Sequence, residues 1–211
     1  MEGKEKIGKI LSESIPRELL LSFEHFYPAA LEKAILIGKG SDSGHRASVV
    51  GHNRHFALNE ALMHALDECG IKRNPLRGNA ILVGSVGIAS VARVHMNHGK
   101  WDNSRRSKAK LKLCEPNRDV AALVQLDWLD PPTSDVQAIT VFLVTEGDGT
   151  ESSPAGVYLA VPDDNMDLRN PVFVEHLSIF MARYQQSQDV ADRASPVLKA
   201  GVKRNEQSDQ S

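Results

Sequence analysis

Seven cations crowd residues 93–112: Arg93, Lys100, Arg105, Arg106, Lys108, Lys110 and Lys112, against the single acid Asp102. From residue 119 to 168 there is no Lys or Arg, and ten acids occur instead. A formal net charge of -2 therefore conceals a bipolar chain. Guanidinium and ammonium groups suit phosphate oxygens, and an indole beside them suits an unstacked base. Trp101 stands among these cations. The segment 108–112 alternates Lys-Ala-Lys-Leu-Lys. As a strand it would set Lys108, Lys110 and Lys112 in a row on one face, about 6 to 7 Å apart. The nucleic-acid contacts expected from this pattern are Lys100, Trp101, Arg105, Arg106, Lys108, Lys110 and Lys112. The same row also suits a solvated strand face that opposes edge-to-edge pairing.

Histidines supply the proton chemistry. His52 and His55 form one close pair, His95 and His98 another, and His45 lies nearby. Imidazole titrates near neutrality, so His95 and His98 are the expected acid/base pair if the protein is an enzyme. No cysteine pair or His-Glu-x-x-His motif completes a metal set, and none is expected. The stretch 38–44 is glycine-rich but has neither Walker spacing nor the Gly-x-Gly-x-x-Gly pattern, so it implies no cofactor.

The elements that must position these groups are read from periodicity. Residues 4–36 read as two helices separated near Ser14 and Pro16. Residues 38–51 read as a loop with a short strand at 46–50. A helix with Asn53 as its N-cap follows, carrying Leu58, Ala61, Leu62, Ala65, Leu66 and Cys69 on one face until Gly70 stops it. Strands are then expected at 80–83, 88–95, 108–114, 120–128, 139–145 and 156–161, with short connections. Asn170-Pro171 opens a final helix bearing Phe173, Leu177, Phe180, Met181 and Tyr184.

The expected fold is α+β: N-terminal helices, an antiparallel meander of about five strands and a C-terminal helix. Residues 1–186 form one domain, and 187–211 a polar tail. No apolar run reaches the ~18 to 20 residues of a membrane span. With two cysteines, Cys69 and Cys114, and an N-terminus without an apolar run, a cytoplasmic protein is expected. The leading expectation for function is nucleic-acid or other polyanion binding through a basic β-hairpin at 93–112, with a phosphodiester-directed activity in prospect. One alternative is an assembly module, a homo-oligomer in which the basic hairpin of one copy meets the acidic strands of another. Another is a small-molecule enzyme with its site near residues 38–55.

Overall fold

A computed structural model describes residues 2–101, 107–125, 136–147 and 156–191. Three helices come first: α1 (Glu2–Ser14), α2 (Arg17–Lys39) and α3 (Ser43–Glu68). The hairpin β1 (Val83–Val86) and β2 (Ala89–Met96) follows, then α4 (Lys108–Cys114) and α5 (Asn117–Gln125). The chain continues through β3 (Ile139–Glu146), β4 (Gly156–Val161), β5 (Phe173–His176) and α6 (Leu177–Ala191). The five strands form one sheet in chain order.

The α+β class holds, but the meander does not. β2 and β3 run parallel, with Ala89 opposite Ile139 and Met96 opposite Glu146, while the other three pairings are antiparallel. The cause is local. Residues 108–114 and much of 120–128, expected as strands, are helical in α4 and α5. Lys, Ala and Leu are strong helix formers without β-branches, and seven alternating residues are too few for pattern to overrule propensity. Ser107 caps α4, its side chain accepting from the Lys110 amide at 3.4 Å. Two helices in place of two strands give the chain length to cross over and return parallel.

Three smaller expectations also shift. Residues 43–50 are not loop and strand but the start of α3, with Asp42 rather than Asn53 at its N-cap. Close packing explains it: a Cβ on Gly38 would lie 2.2 Å from Val50 Cγ2, so the missing side chain lets α2 and α3 touch. β1 begins at Val83 rather than 80, and Gly87 at φ 55° makes the hairpin turn. Residues 173–176 join the sheet edge against β4 before α6 begins, because the β-branched and aromatic run Val172-Phe173-Val174 suits a strand. The boundary expected at 187 falls within α6, and residues 192–211 lie outside the described residues.

Side chains alternate across the sheet. One face presents Val91, Val141, Leu143 and Leu159 to α1, α2, α3 and α6. The other presents Ala92, Val94, Phe142, Val144 and Ala160 to Cys114 of α4 and to Met166 and Leu168. Asn117, fully buried at the start of α5, ties the layers together. Its amide donates to the carbonyls of Thr140 and Pro162 at 2.9 Å, and its oxygen accepts from the Thr140 amide at 2.7 Å. Cys69 and Cys114 are free thiols. Among the described residues no helix is long and apolar enough to cross a membrane.

Candidate anion site

On the α3 side of the sheet the parity of β2 runs Ala89, Val91, Arg93, His95. The first two are core. The next two put a guanidinium and an imidazole where hydrocarbon would ordinarily sit. β1 reaches only as far as Ala92, so it does not cover the edge of β2 beyond that point. On α3, Gly51, His55 and Asn59 recur every four residues and so share a stripe. Between these elements and α4 lies a cavity of about 230 Å³, lined by Arg54, His55, Asn59, Arg93, His95 and Lys110 among others. None of its described lining residues is acidic.

Arg93 is 6% exposed. Its Nε donates to Asn59 Oδ1 at 2.9 Å, and its Nη2 donates to the His55 carbonyl and to His55 Nδ1, the latter at 3.1 Å. All of these partners are neutral. Burial, and then the charge of Arg54, depresses the Arg93 guanidinium to about 9, which leaves it charged at neutral pH. Burial and Arg93 also hold Lys110 below its ordinary value.

The two imidazoles respond to the same field. Burial, then Arg93, Lys110 and His52, lowers His55 to about 4. Burial, then Arg54 and Arg93, lowers His95 to about 4. Both are neutral at pH 7. His55 Nδ1 faces Arg93 Nη2 and its Nε2 lies 3.4 Å from Asn59 Nδ2, so both ring nitrogens meet donor groups of the protein. His95 Nδ1 lies 3.0 Å from Thr145 Oγ1, while its Nε2 is buried with no partner among the described residues. The Thr145 hydroxyl can turn to serve either tautomer, so Nε2 can donate to an incoming oxygen or accept a proton from one.

No family model, curated protein or solved structure matches this chain. The site is therefore read from its own geometry.

That geometry divides the residues expected from sequence. His95 and Lys110 come together in the cavity. His98 does not join them. It sits in the turn after β2, 72% exposed, with Nδ1 3.5 Å from Glu146 Oε1. Glu146 follows Thr145 in β3 and so points to the opposite face of the sheet from His95's partner. His95 and His98 are not a pair.

Glu146 also engages Trp101. Its Oε1 accepts from the indole Nε1 and from the Gly99 amide, each at 2.9 Å. Burial acts to raise the Glu146 carboxyl, but these hydrogen bonds, with His98 and the Tyr158 hydroxyl, hold it below its ordinary value. The indole stands edge-on to Tyr158 at 5.2 Å and is half-buried, so it fastens the 97–100 turn to β3. Lys100 is exposed beside it.

The row of lysines is not formed. On α4, at about 100° per residue, Lys108 and Lys112 share an exposed face and Lys110 points the opposite way, toward the cavity. Arg105 and Arg106 lie outside the described residues. Nor do β3 and β4 form an acidic surface: their one acid is the buried Glu146. From sequence Arg93 was read only as one of the basic run and His55 only as half of a histidine pair, and Asn59 was not singled out, although Arg93 carried a legible signal. A strand at 88–95 with Val91 facing inward requires Arg93 to face inward as well.

Proposed function

We propose that this protein binds a phosphate-bearing ligand, whose phosphate group sits in the cavity between α3, β2 and α4. Arg93, Lys110 and the imidazole of His95 are its partners, with His55 holding Arg93 in place. The observation that carries this reading is Arg93, a buried cation whose own hydrogen-bond partners are all neutral. Burying a charge without a counter-charge is costly, and a tetrahedral oxyanion would supply both the charge and the acceptors the site calls for. His95 Nε2 adds a buried group ready to meet one of its oxygens. Nucleic acid enters this reading as a source of phosphate, reached through the cavity rather than through a basic strand. Where the bound ester is turned over, His95 is the residue that moves the proton.

Titration calorimetry with inorganic phosphate tests the reading. Wild-type protein binds, Arg93→Met does not, and Lys110→Met binds about 10-fold or more weakly, as for a charge-assisted hydrogen bond. The double change Lys108→Ala/Lys112→Ala leaves binding within about twofold, since neither side chain faces the cavity. Equal binding by wild type and Arg93→Met, or loss of binding only in the Lys108/Lys112 variant, would overturn the assignment.

A further inference from the structure

A second cleft opens beside the first. It measures about 430 Å³ and is bordered by Ser48, His52, Phe56 and Asn79. Gly51 and His55 line both spaces. The inner cavity alone lies below the roughly 300 to 1,000 Å³ of ordinary small-molecule sites, and the outer cleft brings the whole into that range.

Gly51 is the link. A glycine inside a helix costs about 1 kcal/mol relative to alanine, so it calls for a reason. Gly38 and Gly84 have one in packing, since a Cβ there would fall 2.2 Å from Val50 Cγ2 and 2.3 Å from Leu66 Cδ2. At Gly51 a Cβ would meet nothing within 4 Å. Packing among the described residues therefore does not demand it. What a side chain at 51 would occupy is the space shared by the two clefts.

The outer cleft supplies a surface for a flat group. Phe56 is 40% exposed, a large ring left open to solvent, and the His55 ring meets it edge-on at 5.6 Å. His52 stands one turn back on the same helix, with Nδ1 2.9 Å from the Ser48 carbonyl. A planar heterocycle laid on Phe56 would have imidazole and amide groups at its edge, the latter from Asn79.

We infer that the ligand is a nucleotide, its phosphate in the inner cavity and its base on Phe56 in the outer cleft, with the sugar passing over Gly51. This rests on the phosphate reading above. A free mononucleotide and the 5′-phosphorylated end of a strand present the same chemistry, and the test separates them.

Calorimetry is run with inorganic phosphate, ribose 5-phosphate, the four ribonucleoside 5′-monophosphates and a short 5′-phosphorylated oligonucleotide. At least one mononucleotide binds 10-fold or more tighter than ribose 5-phosphate. Phe56→Ala reduces that advantage by about 5-fold or more, the range of a lost base-aromatic stack. Gly51→Leu abolishes it, and Phe56→Ala leaves inorganic phosphate within about twofold because Phe56 borders only the outer cleft. Circular dichroism confirms the fold of each variant. Tighter binding of the oligonucleotide than of any mononucleotide identifies a strand end as the ligand; equal or weaker binding identifies the free nucleotide. If phosphate binds and no base improves on ribose 5-phosphate, or if Phe56→Ala weakens phosphate and nucleotide alike, the nucleotide inference falls and the phosphate reading stands. If wild-type protein binds none of these ligands, both fall.

Discussion

At the scale of single residues, Arg93 separates two roles that burial usually confounds. An arginine kept for stability would be missed by several kcal/mol when removed, because its partners would be stranded. Here those partners are an amide oxygen, a carbonyl and an imidazole beside a polar cavity, where water can replace the guanidinium. Arg93→Met should therefore leave the thermal midpoint unchanged or raise it, as replacement of a buried ion by hydrocarbon often does. A fall equivalent to about 3 kcal/mol or more in thermal denaturation would mark Arg93 as structural. The histidines make a second prediction. His95 and His55 titrate near 4 in the folded protein, against about 6.5 when unfolded. Between those values the unfolded chain holds more protons, so stability rises with pH across the window and is lost as acid is added from 6.5 to 4. His95 can contribute up to about 1.4 kcal/mol per pH unit there. Denaturant midpoints measured from pH 7 to 4.5 should fall steadily, and His95→Gln should shallow the slope. An anion beside the imidazoles reverses their field, so phosphate binding at pH 5.5 should take up protons, seen as heats that depend on the buffer's ionisation enthalpy. Sequence exposed these residue types but not their meeting, since His55 and His95 are brought together only by the packing of α3 on β2.

At the scale of elements, the later part of α3 and strand β2 were legible because their signals are long or redundant. Leu58, Leu62 and Leu66 recur at helical spacing, and residues 88–95 carry the β-branched residues of a strand. The segment 108–125 was not legible. Short alternation in Lys, Ala and Leu fits either period, and only the sheet beneath decides which faces are buried. That one misreading carried both the antiparallel meander and the lysine row with it. The glycines of α3 and β1 give a prediction at this scale. A Cβ on Gly84 would sit 2.3 Å from Leu66 Cδ2, in the core where that leucine has no room to move. Gly84→Ala should cost about 1 to 3 kcal/mol by overpacking. Gly51→Ala, with open space around it, should instead stabilise by about 0.5 to 1 kcal/mol through helix propensity. Chemical denaturation of the two variants should move in opposite directions, and a matching loss at both positions would mean that α3 packs differently.

At the scale of the whole molecule, Arg183 fastens the ends of the described fold. It donates to Glu175 from Nε and Nη2 at 2.8 and 2.9 Å, and to Glu5 from Nη1 and Nη2 at 2.6 and 3.2 Å. Gly8 leaves the space it needs, for a Cβ there would lie 2.6 Å from the guanidinium carbon. The guanidinium holds the Glu5 carboxyl below its ordinary value, through hydrogen bonding first and charge second. Tyr184 adds a hydroxyl hydrogen bond to the Ile15 carbonyl at 2.6 Å. Arg183→Met should cost about 1 to 3 kcal/mol, between the limits for exposed and buried pairs. Hydrogen exchange should show the loss first in α1 and α6, with the cavity side of α3 little changed. Faster exchange spread evenly over the sheet would contradict that local role.

The clamp also sets an order of events during synthesis. α1 packs on α5, β5 and α6, all of which follow it in the chain by more than a hundred residues. α2 and α3 can close on each other early, but the apolar side of α1, with Ile7 and Leu11, has no seat until Arg183 has left the ribosome. At about 5 to 20 residues per second, that leaves α1 waiting on the order of 10 to 35 s. Through that interval it is an exposed amphipathic segment, open to chaperones and proteases, and its docking is the step that closes the fold.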